Sequence, residues 1–201
     1  VQSSFGDFGV DARVSYYADW IDQITFSSAE FLVNEDSIVT AVDNTTGQQM
    51  WSTVAMDASG DFVIAWTSRG QDAGGDNGVF ARRYTSIGVG SPSPFGDAFQ
   101  VNTSEIGDQQ YSRVAMDADG DFVITWESQQ DPDGSFGIFA QRYARNNLVG
   151  VTQFLGPDGE IGGEFRANTT TTGPQRFPGV GMDDTGDFVI IINAGKVALT
   201  G

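Results

Sequence analysis

One thirteen-residue pattern occurs three times in the chain and limits what it can fold into. It reads Val54-Ala-Met-Asp-Ala-Ser-Gly-Asp-Phe-Val-Ile-Ala-Trp66, then Val114-Ala-Met-Asp-Ala-Asp-Gly-Asp-Phe-Val-Ile-Thr-Trp126, then Val180-Gly-Met-Asp-Asp-Thr-Gly-Asp-Phe-Val-Ile-Ile-Ile192. Met56, Met116 and Met182 mark its phase, at spacings of 60 and 66 residues. Flanking pieces recur in the same order. Phe31-Leu-Val-Asn34, Phe99-Gln-Val-Asn102 and Phe165-Arg-Ala-Asn168 precede it, and Gly78-Val-Phe-Ala-Arg-Arg-Tyr84 and Gly137-Ile-Phe-Ala-Gln-Arg-Tyr143 follow the first two copies. Self-similarity at such a period is the mark of an array whose units bury their apolar faces against one another.

Within a unit the apolar residues alternate with period two, which predicts strands. Phe122, Ile124 and Trp126 share one face and should meet a core; Val123 and Thr125 share the other, as expected where sheets stack. Asp117-Ala-Asp-Gly-Asp121 supplies a turn, with glycine available for a positive φ. Arg113–Met116 and Ile138–Tyr143 read as neighbouring strands, and Phe99–Asn102 as an edge-like fourth. No segment has helical periodicity. The expected class is all-β: tandem antiparallel β repeats of about 66 residues, propeller-blade-like or stacked β modules, with incomplete units at both termini.

Residues 1–30 read as an N-terminal partial unit able to act as a donor strand. Repeat 1 then covers 31–98, repeat 2 covers 99–164, and a truncated repeat 3 covers 165–201. The last unit either lacks the Phe-Ala-x-Arg-Tyr strand or carries a short hairpin partner, Val197–Thr200, in its place. Closed propellers need about four to eight blades. About three units therefore imply a longer array, linear stacking, or assembly of several copies; the N-terminal strand either meets the last unit within one molecule, closing a ring, or completes a neighbouring molecule.

Composition narrows the function. Asp and Glu number 27 against 10 Lys and Arg, a formal net charge of −17, which repels nucleic acid and suits either solubility in salt or recruitment of divalent cations. The chain has no Cys and no His, which removes disulfides, thiolate chemistry, catalytic triads built on His, and His-based zinc sites. No apolar run reaches the roughly 20 residues of a membrane span. The opening Val1–Phe5 shows no leader, so a secreted product would already have lost one.

Candidate sites follow from the repeats. Asp117, Asp119 and Asp121 place hard oxygen ligands on a tight loop, with partial copies at Asp57 and Asp61 and at Asp183, Asp184 and Asp187. This suggests calcium, whereas the lack of a distal bidentate Glu argues for a plain hairpin turn. Asp72 and Asp76, and Asp131 and Asp133, form a second acidic loop open to the same two readings. Asn44, Asn102 and Asn168 fit the N-glycosylation pattern, and the alternative for each is a turn-forming Asn. Arg82, Arg83, Arg142, Tyr84 and Tyr143 either bind an anionic glycan, or each Arg stacks on aromatics or pairs with one of the many carboxylates. No carboxylate pair is singled out as a hydrolytic couple.

The segment 114–126, Asp133-Gly-Ser-Phe-Gly-Ile-Phe-Ala-Gln-Arg-Tyr143 and Gly162-Gly-Glu-Phe165 resemble repeats of very large secreted surface proteins of aquatic bacteria, of cyanobacterial and planctomycete type. The resemblance covers residues 31–201. It implies an extracellular or cell-surface setting and carries no defined activity. The Asp–Gly–Trp hairpin also resembles the Asp-box turn of sialidase propellers, a structural element there. The expected protein is a non-enzymatic structural or adhesive one that assembles with copies of itself. The alternative is a carbohydrate-binding or glycoside-cleaving propeller.

Overall fold

The computed structural model describes residue 33 and residues 48–86, 92–145, 160–193 and 196–200. Among these residues every regular element is a strand, and three antiparallel sheets form. The first contains β1 (Gln49–Met56), β2 (Phe62–Arg69) and β3 (Asn77–Thr85), with β4 (Ser93–Pro94) and β5 (Phe99–Gln100) both on the outer edge of β3. The second runs β6 (Gln109–Met116), β7 (Phe122–Ser128), β8 (Gly137–Tyr143) and β9 (Glu160–Arg166). The third runs β10 (Gly179–Met182), β11 (Phe188–Ile192) and β12 (Lys196–Thr200).

The first hairpin of each sheet closes on the same register: Met56 opposite Phe62, Met116 opposite Phe122, Met182 opposite Phe188. The short partner strand expected in place of Phe-Ala-x-Arg-Tyr is β12, which pairs with β11. The expected divisions at 99 and 165 cut across the sheets. Phe99–Gln100 pairs with β3, and Phe165 and Arg166 pair with β8. Each of these sequence units therefore opens with a strand that finishes the sheet before it. The expected N-terminal donor strand, residues 1–30, lies outside the described residues.

The alternation along β7 is resolved into two cores. Phe122, Ile124 and Trp126 face the first sheet and bury against Val63, Ala65, Val79 and Ala81. Val123, with Ile138 and Ala140 from β8, faces the third sheet and buries against Phe188, Ile190 and Ile192. Every residue of β7 is buried. At about 25 cal/mol per Å² of apolar surface removed from water, this two-sided burial is the main force holding the sheets face to face. Among the described residues, no helix is long and apolar enough to cross a membrane.

Candidate functional site

The three Asp-x-x-Gly-Asp turns are built alike. In the first, the Ser59 and Asp61 N–H groups donate to Asp57 Oδ1 at 2.8 and 2.9 Å. In the second, Asp119 and Asp121 donate to Asp117 Oδ1, both at 2.9 Å. In the third, Thr185 and Asp187 donate to Asp183 Oδ1 at 2.9 and 3.0 Å. The sequence needs glycine at the fourth position because φ there is 88°, 92° and 90° at Gly60, Gly120 and Gly186. The leading Asp is thus the cap that shapes the hairpin.

The calcium expectation rests on these same carboxylates. The leading oxygen of each turn accepts two backbone N–H groups, Asp119 and Asp184 point to solvent, and among the described residues no group of three or more carboxylates is arranged to hold a metal ion. Asp117 is buried, and burial raises its pKa. Asp183 is exposed, and the Thr185 hydroxyl and N–H lower its pKa. The first two turns are joined by Arg145, whose Nη2 lies 2.7 Å from Asp61 Oδ2 and whose Nη1 lies 3.3 Å from Asp57 Oδ2. Its own N–H donates to Asp121 Oδ1 at 2.8 Å, so one residue clamps two hairpins.

The second acidic loop is also structural. The Gly75 N–H donates to Asp72 Oδ1 at 2.9 Å. Asp131 is buried and lies 3.1 Å from Arg166 Nη2. Asp76 is exposed. Asp133 is exposed too, and accepts from the Ser135 hydroxyl and from the Ser135 and Gly173 N–H groups, which lower its pKa to about 2.

Two of the three residues that fit the glycosylation pattern, Asn102 and Asn168, lie among the described residues. Asn102 and Asn168 are buried. Each accepts through Oδ1 from a strand N–H, that of Val79 at 2.8 Å and of Ile138 at 2.7 Å. Each also spends the nitrogen a sugar would need. Asn102 Nδ2 donates to Ser104 O and Gln109 Oε1, and Asn168 Nδ2 donates to Thr170 O and Gln175 Oε1. Asn44 lies outside the described residues.

The arginines lie over aromatic rings. Arg82 lies over Tyr84 at 5.8 Å. Arg83 of the first sheet lies over Phe122 of the second at 5.5 Å, and Arg142 of the second over Phe188 of the third at 5.6 Å. Tyr84 and Tyr143 stack on Phe62 and Phe122 of their own sheets, at 5.0 and 4.7 Å.

Two features went unread in the sequence. The first is an aromatic row. Trp51, Tyr111 and Phe177 each stand five residues before the phase-marking Met, and each has positive φ: 53°, 55° and 52°. In the first two sheets this residue sits at a bulge, where the register slips between Met50 and Thr53 and between Gln110 and Arg113. The rings pack in sequence, Trp51 to Tyr111 at 4.1 Å and Tyr111 to Phe177 at 5.0 Å. The second feature is Glu127. It is fully buried on β7, accepts from the Phe177 N–H, and lies 2.8 Å from Arg176 Nε. Aligning the three copies three positions upstream of the pattern would have found the row. Glu127 has no counterpart, since Thr67 takes its place in the first sheet, so the repeat gave no signal.

The chain matches no protein-family model and no curated protein sequence.

Proposed function

We propose that this chain is an extracellular structural or adhesive protein: a tandem array of antiparallel β modules of about 66 residues, stacked face to face like propeller blades, that joins copies of itself into a filament or sheath. The observation that carries the reading is the second sheet, both of whose faces are core. A module that buries apolar residues on two sides requires a neighbour on each. Apolar residues also stand on the outer faces, Val54 and Met56 on the first sheet and Val189 and Ile191 on the third. Three buried carboxylates are paired within the architecture: Asp57 with Arg145, Glu127 with Arg176, Asp131 with Arg166. A charge of −17 keeps such an assembly soluble in saline surroundings.

A carbohydrate-binding propeller is the second reading, favoured by the exposed rings of Trp51 and Phe177. Trp51 and Tyr111 stack on one another with planes 30° apart, however, so the faces a sugar would cover are partly used. Negative-stain electron microscopy of the purified protein separates the two. Regular filaments or sheets are expected. Discrete particles that bind a polysaccharide would replace the first reading with the second.

A further inference from the structure

The two ends of the stack are complementary to each other in the same way as the sheets inside it. Each internal junction is carried by an inner strand. β6 packs against β1, β2 and β3, and β10 packs against β6 and β7. On β6, Val114 is buried and Met116 packs on the first sheet's core; on β10, Val180 and Met182 pack on the second sheet's core. Among the described residues, the corresponding residues of β1 have no such cover: Val54 is 59 % and Met56 60 % exposed. Farther along that face Trp66 is already buried, so the open ground is the β1 side.

The opposite end offers the matching surface. Inside the stack, the incoming inner strand is received by the face that carries Val63 and Ala65 in the first sheet and Val123 in the second, all buried. On the third sheet this face carries Val189, half-buried, and Ile191, 52 % exposed. The aromatic row ends in the same way. Tyr111, stacked from both sides, is half-buried, while the terminal rings Trp51 and Phe177 are 39 % and 52 % exposed. Exposed β-branched and thioether side chains in register on two opposite faces mark an interaction surface.

We infer that the β1 face of one copy, Val54, Met56 and Trp51, seats on the β11 face of a second copy, Ile191, Val189 and Phe177, so that the internal junction recurs between molecules. The contact is heterologous, because each copy gives a different surface. In it the aromatic row runs on unbroken, with Phe177 of one molecule against Trp51 of the next. This rests on the stacked-module reading above and specifies the surfaces through which copies meet.

The test uses two variants of the full chain, Val54→Asp/Met56→Asp and Ile191→Asp, each altered at exposed positions and checked for folding by circular dichroism. Val54→Thr/Met56→Thr and Ile191→Thr stand in if an aspartate variant does not fold. In sedimentation velocity, the wild type is expected to self-associate with rising concentration and each variant to remain monomeric. An equimolar mixture is expected to give a one-to-one dimer and nothing larger, since one good junction remains between unlike partners. A mixture that stays monomeric overturns the inference. So do variants that still self-associate while the wild type does, although the stacked-module reading then survives. A wild type that stays monomeric at every concentration overturns both.

Discussion

Tyr111 occupies the left-handed backbone region, which costs a residue with a Cβ roughly 1–2 kcal/mol. Trp51 and Phe177 carry the same strain. Aromatic pairs are worth about 0.5–1.5 kcal/mol beyond area burial, so stacking on both neighbours is what offsets the strain at Tyr111. This separates two substitutions that both delete the ring. Tyr111→Gly loses the stacking and relieves the backbone; Tyr111→Val loses the stacking and keeps a β-branched Cβ where φ is 55°. Urea unfolding should find the valine variant less stable than the glycine variant by about 1–2 kcal/mol. Equal stabilities would mean the strain is not real. The row went unread because the bulge breaks the alternation just where the expected strand begins. Arg113–Met116 was expected as the strand, whereas β6 begins at Gln109. The burial of Asn102 and Asn168 was not legible for a related reason. The acceptor pattern records three residues, while burial of the amide depends on Gln109 and Gln175, seven positions on.

At the scale of the element, the hairpin between β6 and β7 was the most legible part of the chain. Its period-two alternation, its capping Asp and its glycine are all local, and local signals survive in the fold. What β7 does at its far end is not local. Glu127 meets Arg176 and the Phe177 N–H, both in the segment leading to the third sheet. Burial raises the Glu127 pKa, with the Phe177 hydrogen bond and the Arg176 charge opposing this only in part. A carboxyl with a folded pKa above its unfolded value contributes stability at low pH. That contribution is lost as pH rises from the unfolded value, about 4.3 for Glu, through the folded one. Burial raises Asp72, Asp117 and Asp131 in the same direction. Thermal unfolding should therefore show a midpoint that falls as pH climbs out of the carboxylate range, and Glu127→Gln should flatten that decline. Glu127→Ala should cost about 2 kcal/mol at neutral pH, because a buried N–H and a guanidinium then lose their partner. A decline unchanged by the glutamine variant would remove Glu127 from this account.

Over the whole molecule, charge opposes what burial builds. Among the described residues, ion pairs join Arg145 with Asp57 and Asp61, Arg166 with Asp131, and Arg176 with Glu127, while the formal net charge of the chain is −17. Stacking the sheets gathers the remaining carboxylates closer than the unfolded chain does, so repulsion among them should outweigh the loss of these partly exposed pairs when salt is added. The melting temperature should accordingly rise with sodium chloride. The same reasoning bears on calcium, since an acidic surface attracts any divalent cation without a site being present. A built calcium loop distinguishes calcium from magnesium through its size and its flexible coordination by 6–8 oxygens. General screening does not. With Asp57, Asp117 and Asp183 each engaged by two backbone N–H groups of its own turn, equal concentrations of magnesium and calcium chloride should raise the melting temperature equally, and a chelator added without either salt should leave it unchanged. A calcium-specific rise, abolished by the chelator and by Asp117→Asn, would show that the turns open their carboxylates to the metal and would return them to the role their sequence first suggested.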